Sequence, residues 1–235
     1  MTDRQKIGKY EVVGTLGKGG MGVVYKGIDP VIQRQVALKL LRKADIATAK
    51  LSLVLDRFKR EAQAAGNLQH QNIVTIYEYG EDDELAFIAM EYVNGRSLRE
   101  HLIGGWQPEL REFPEVIAQL FQGLDSSHSR GVIHRDLKPA NLLVSEAGVV
   151  KISDFGIARI GQASDGPNNE IVGTPYYMSP EQYQGKPVDE RTDLYSAAVI
   201  TYEILAGRRP FNGNASVLKY QVLKETALLP SAVDP

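Results

Sequence analysis

Apolar positions along this chain follow two periods, and the change from one to the other divides it. In the first ninety residues the period is two. Val36-Ala37-Leu38-Lys39 sends Ala37 and Lys39 to one face and Val36 and Leu38 to the other, as a strand does. The run VVYKG after the glycines at 17, 19 and 22, and the stretch Leu85 to Met90, read the same way. One segment there is helical: Leu51, Leu55, Phe58, Ala62 and Ala65 recur at three and four residues between Leu51 and Leu68, with Glu61 on the same side. Beyond residue 96 helices dominate. Ser97 to Ile103 is a short helix with a serine cap, and Pro114 to Ser129 carries one stripe of Val116, Ile117, Leu120, Phe121 and Leu124. Thr192 to Ala206 is apolar nearly all round and closes at Gly207, as a buried central helix does. Between these helices, NLLV (Asn141 to Val144) and VVKIS (Val149 to Ser153) read as strands joined by a four-residue hairpin loop, Ser-Glu-Ala-Gly. The pattern predicts an α+β chain: a small β-rich part with one helix, then a larger, mainly helical part.

That hairpin is where chemistry enters. Pairing Val144 with Val149 sets Asn141 opposite Ile152 and leaves Asp154 just beyond the strand end, so its carboxylate and the Asn141 amide oxygen can share one hard cation such as Mg²⁺. In the preceding loop Asp136 can accept a proton from an incoming hydroxyl, while Lys138 neutralises charge on a transferring phosphoryl group. Gly17, Gly19 and Gly22 form a GxGxxG, a spacing that dinucleotide-binding folds share. A dinucleotide site needs a helix directly after the glycines; here a strand follows, so they cap a hairpin whose N–H groups can approach phosphate closely. Ala37 is small enough to roof an adenine, and Lys39 can reach the α- and β-phosphates. An inward lysine needs a carboxylate, and Glu61 supplies it. His134 reads as a core residue, because no second His or Cys ligand lies at a usable spacing.

His134 to Asn141 reads HRDLKPAN, and Asp154-Phe155-Gly156 follows thirteen residues after Asn141. On these strings, with the glycine loop and Lys39, the chain resembles eukaryotic-like (Hanks-type) protein kinases, and among them bacterial serine/threonine kinases, over roughly residues 8 to 230. The resemblance implies a bilobal protein kinase fold, with an N-lobe over 1–90, a hinge over 91–95 and a C-lobe over 96–235. It implies ATP as phosphoryl donor with Mg²⁺, or Mn²⁺, held by Asn141 and Asp154. Leu16, Val24, Ala37 and Leu143 would surround the adenine, Met90 would be the gatekeeper, and the main chain of Glu91 and Val93 would bond the adenine edge. Asp193 would anchor the catalytic-loop backbone, and His134, Phe155, Ile76 and Ala65 match the stacked residues that couple the lobes. Gly173 to Glu181 (GTPYYMSPE) resembles the segment that docks a polypeptide beside the catalytic Asp. Lys138 and Thr174 together match the serine/threonine pattern, so protein Ser/Thr hydroxyls are the implied acceptors. Ile157, following the DFG glycine, resembles the threonine-preferring class. Glu170 stands where relatives carry a phosphorylated threonine, with Arg135 and Arg159 as its partners and Ser164 as another phosphosite in a loop (161–169) rich in turn formers.

Composition narrows little. The 235 residues are 43% hydrophobic and 24% charged, with a net charge of −2 and no cysteine. That leaves no nucleic-acid footprint, no disulfide framework and no thiolate metal site. Tyr195 to Ala206 is too short and polar to span a bilayer and the N-terminus lacks a signal-peptide core, so a cytoplasmic location is expected. The family's closing segment places further helices after the 228–235 region, including an arginine that pairs with the glutamate matching Glu181. The expectation is a piece of a longer product, with Glu181 left without a partner and regulatory domains outside it. A non-catalytic, nucleotide-binding pseudokinase is the competing function, and the intact phosphotransfer positions argue against it.

Overall fold

A strand with two apolar faces must have something packed on each, and β4 (Arg34–Arg42) has both. Val36, Leu38 and Leu40 join Ile7, Tyr10, Leu85, Phe87 and Ala89 in one cluster. Leu41, on the other face, joins Ala86 and Ile88 of β6 (Leu85–Glu91) and Phe58 and Ala62 of the helix α1 (Thr48–Gly66). The computed structural model describes residues 6–19, 22–105, 113–155 and 175–233. The chain divides into two units, 1–94 and 95–235.

The first unit is a six-stranded antiparallel sheet with one helix, as the period-two pattern predicts. With β1 (Lys6–Ile7), β2 (Tyr10–Gly19), β3 (Gly22–Asp29) and β5 (Ile76–Glu81), its order is β1-β2-β3-β4-β6-β5. The sheet curls, because its ends meet: the Tyr10 hydroxyl donates to Glu78 Oε2 at 2.8 Å, and Lys9 Nζ lies 3.3 Å from both Asp29 and Glu78. Burial and then the Glu78 hydrogen bond push the Tyr10 phenol up to about 12. Inside the curl the Tyr10 ring meets Phe87 edge to face at 6.2 Å.

The second unit pairs a three-stranded sheet with helices. β7 (Gly95–Ser97), β8 (Leu142–Ser145) and β9 (Val150–Ile152) lie in the order β7-β8-β9. Gly95 is required by a close approach: a Cβ there would sit 2.0 Å from the Val144 carbonyl oxygen. α2 (Leu98–Ile103) starts on the expected serine, whose hydroxyl accepts from the Glu100 N–H while the Glu100 carboxylate accepts from Ser97 N. The remaining helices are α3 (Phe113–His128), α4 (Pro180–Tyr183), α5 (Arg191–Ala206) and α6 (Ala215–Lys224). α5 buries eight side chains and stops at Gly207, at φ 63°. Leu194 and Leu205 remain exposed on it.

Two expectations need correction. In α3 the buried face runs through Leu120, Gly123, Leu124 and Ser127, while Phe121 is 38% exposed. One residue is about 100° of helix rotation, enough to carry Phe121 from Leu120 past the edge of a face centred between Leu120 and Ser127. In the β8–β9 hairpin Val144 pairs with Val150 and Leu142 with Ile152, one residue away from the expected register. The loop is the cause: Gly148 N–H donates to Ser145 O at 2.9 Å with Gly148 at φ 76°, a turn closed by a left-handed glycine, so Ser145 faces Val149 as a strand residue. Asn141 consequently faces Ser153, whose N–H donates to Asn141 O at 2.8 Å.

The two phenylalanines give a paired test. Phe87→Ala should lower stability by about 3–5 kcal/mol, whereas Phe121→Ala should cost under about 1 kcal/mol. Urea unfolding midpoints measure both, and equal losses would contradict the burial described.

Candidate active site

The 134–141 loop is held from behind by a buried carboxylate. Asp193, at the start of α5, is fully buried and accepts from His134 N at 2.7 Å, from Arg135 N at 2.8 Å and from His128 Nε2 at 2.8 Å. These bonds hold Arg135 in the left-handed region at φ 66°, a conformation a non-glycine residue keeps only when its surroundings impose it. His134 is also fully buried. Its Nδ1 accepts from Asp136 N at 3.2 Å and its Nε2 lies 3.0 Å from Ser153 O, which can only accept. The ring is therefore the neutral Nε2–H tautomer, and it ties the loop to the end of β9. Phe155 lies against it, ring centroids 4.9 Å apart. Asp136, next to this framework, is half-buried with Lys138 Nζ 2.6 Å from its Oδ2.

Asn141 donates Nδ2–H to Asp136 O at 2.9 Å, which aims its amide oxygen away from the loop. Through the Asn141–Ser153 pairing Asp154 follows directly beside it, at φ 56°, with Ser153 Oγ 3.3 Å from its Oδ2. Among the described residues no group of three or more His, Cys, Asp or Glu could hold a metal. One amide oxygen and one carboxylate still fit a hard divalent cation that takes its other ligands from phosphate and water, as Mg²⁺ does in nucleotide sites.

In the first unit Lys39 Nζ lies 2.6 Å from Glu61 Oε1, both side chains nearly buried. Lys39 pairs across strands with Val24 on one side and Ile88 on the other, and Ala37 with Met90. Opposed residues point to the same face, so Val24, Ala37, Lys39 and Met90 share one. Leu16 is exposed at a bulge in β2, Gly17 pairs with Val24, and Gly19 faces Gly22 at the hairpin end. A Cβ on Gly17 would meet nothing within 4 Å, whereas one on Gly22 would strike the Leu40 carbonyl at 2.0 Å. Gly22 is thus needed by the fold, and Gly17 leaves open room above the backbone. Glu91 N donates to Thr75 O at 2.8 Å. Val93 is half-buried in the first unit and Leu143 in the second. Thr174, Gly156, Ile157, Arg159, Ser164, Glu170 and Gly173 lie outside the described residues.

Sequence reasoning missed several supports. Glu181 has a partner, contrary to expectation: the Thr192 hydroxyl donates to its Oε1. Gln182 caps Ser179 through Oε1 and donates Nε2–H to Arg135 O at 2.8 Å, tying α4 to the catalytic loop. The Ser-x-x-Gln spacing marks it as a capping residue, but nothing local shows the second bond. His128 and Ser153 likewise act through tertiary contacts.

A sequence model of the protein kinase domain matches residues 10–232. The chain belongs to the protein kinase family. It is 42% identical over 97% of its length to a probable serine/threonine-protein kinase PknB of Bifidobacterium longum, covering 34% of that protein. It is 36% identical over 89% to serine/threonine-protein kinase PrkC of Bacillus subtilis, covering 32% of it, and 43% identical over 95% to serine/threonine-protein kinase PknB of Mycobacterium tuberculosis, covering 37%. The chain thus spans about a third of the length of the curated relatives it matches. Among its described residues no helix is long and apolar enough to cross a membrane.

Within this kinase domain the Glu181 carboxyl is held below the usual carboxylate range. Burial works against ionisation, and the bonds from Thr192, the Glu181 N–H and Ser179 outweigh it. A carboxyl lowered on folding contributes stability that is present above its unfolded value, about 4.3, and is lost as pH falls through the folded one. Glu181→Gln should therefore be less stable than the parent at pH 7, with the gap closing below about pH 4. Thermal melts across pH 2.5 to 7 check this; a pH-independent gap would show that the charge plays no part.

Proposed function

We propose that this domain transfers the γ-phosphate of ATP to serine and threonine hydroxyls of protein substrates. The observation that carries the reading is Asp136, half-buried and bonded to Lys138 on a loop anchored through His134 and Arg135 to Asp193. Asp136 accepts the hydroxyl proton, and Lys138 offsets charge on the phosphoryl group in flight. Asn141 and Asp154 hold a divalent cation, Mg²⁺ in preference to Mn²⁺, which when bound screens the phosphate charges. Lys39, oriented by Glu61, holds the α- and β-phosphates, and the main chain near Gly17 lies over them. The Glu91 carbonyl and Val93 N–H meet the adenine edge, with Leu16, Val24, Ala37, Met90 and Leu143 around it. In this reading residues 1–90 form the nucleotide-holding lobe, 91–95 the hinge and 96–235 the substrate lobe. A cytoplasmic location and signalling belong to the same proposal, as do regulatory parts of a longer protein, the last of these supported by the relatives being about three times as long.

Asp136→Asn and Lys39→Met should each lower transfer to a generic protein acceptor about a thousandfold, on the order of 4 kcal/mol in barrier, with the fold retained. Asp154→Ala should in addition abolish Mg²⁺-dependent nucleotide binding, read by fluorescent-nucleotide titration. Near-parental turnover in Asp136→Asn would remove Asp136 as the base, whereas nucleotide binding without transfer by the parent would leave the pseudokinase reading standing. Threonine should be preferred over serine, because a stiff β-branched Ile157 would pack against the acceptor methyl group. Peptides differing only in the acceptor settle that preference; equal rates would remove it.

A further inference from the structure

A cavity of about 520 Å³ in the second unit has Asp136 and Lys138 in its lining together with Arg99, Tyr176, Glu203 and Arg209. Its charges are not all engaged alike. Lys138 is taken up by Asp136 at 2.6 Å. Glu203 is occupied at both oxygens: the Tyr177 hydroxyl donates to Oε2 at 2.6 Å, and Arg209 Nε lies 3.8 Å from Oε1. The Arg209 guanidinium is spread over the Tyr176 ring, 3.3 Å from its centroid, and its contact with Glu203 is long, so much of its charge remains available to a third group. Arg99, in the first turn of α2, is exposed and has no carboxylate within ion-pair distance among the described residues. Burial, and then Glu203, push the Tyr177 phenol up, while Arg209 and Arg99 pull it the other way, so both cations act on the same wall.

We propose that this cavity selects acceptor segments carrying carboxylate side chains close to the serine or threonine, with Arg99 and Arg209 as the specificity-determining residues. This rests on the protein kinase reading above and deepens it. An acidic side chain gains two incompletely neutralised guanidiniums. A basic one would have to displace Tyr177 and Arg209 from Glu203 while facing both arginines.

Three short fluorescent peptides test the inference, identical around one threonine and flanked by Asp, Asn or Lys. Binding to the purified protein is followed by anisotropy without nucleotide, and phosphoryl transfer is followed separately. The Asp peptide should bind about three- to tenfold tighter than the Asn peptide at low salt, with the ratio shrinking as salt rises. Arg99→Glu should abolish or reverse that ranking, and Arg209→Gln should reduce it. The inference is overturned if the Asn or Lys peptide binds as well as the Asp peptide, if the Asp peptide shows no binding, or if Arg99→Glu leaves its advantage intact. An Arg99-dependent Asp preference in binding without transfer to any peptide would uphold the inference and remove the catalytic reading. Transfer to all three peptides without a charge ranking in binding would do the reverse.

Discussion

The Asp193 carboxylate, taken wholly out of water, is the constraint on which the second unit's chemistry depends. An ionised group in that position is tolerable only if its lone pairs find donors, and three donors converge on it: two backbone N–H groups of the catalytic loop and the His128 ring. The dependence runs both ways. The carboxylate needs the loop, and the loop needs the carboxylate to keep Arg135 left-handed. Asp136 inherits its position from this arrangement, because the residues immediately before it are pinned and its own N–H is bonded to the His134 ring.

The first unit meets a similar demand in another way. Lys39 and Glu61 are both nearly buried and bonded at 2.6 Å. Desolvating two charges roughly cancels what their attraction returns, so the pair adds little to stability. Stability comes from what flanks it: Leu38 and Leu40 locked into the inside of the curled sheet, and Phe58 and Ala62 of α1 packed on Leu41, Ala86 and Ile88. A costly pair set between two apolar clusters is rigid, which suits the phosphate-holding role proposed for Lys39.

Periodicity made the elements legible because it reports burial, and burial decides secondary structure over several residues at once. The two faces of β4, the stripe of α1 and the left-handed stop of α5 at Gly207 were all readable. The failures came where one atom or one residue decides. The β8–β9 register turned on the left-handed Gly148, and the place of Phe121 on a rotation of one residue. Site residues carried by a local string, His134 to Asn141, were readable as a string; the bonds that place them were not. Thr192 on Glu181, Gln182 on Arg135 and Ser153 on His134 join residues 11, 47 and 19 apart, and nothing local marks such partners.

Those tertiary bonds converge on one helix. Thr192, Ser196 and Glu203 lie within about 40° of one another around α5 and span about 16 Å along it. They meet the 177–181 segment in reverse order. Glu203 accepts from the Tyr177 hydroxyl, Ser196 donates to Tyr177 O at 2.7 Å, and Thr192 bonds both Ser179 and Glu181. The same helix presents Asp193 to the catalytic loop from its first turn. Rigid hydrogen-bonded backbone therefore sets the spacing between Asp136 and the wall formed by Tyr176 and Tyr177, and Gln182 bonded to Arg135 O closes the circuit. Asp136 and the surface beside it form one unit referenced to α5.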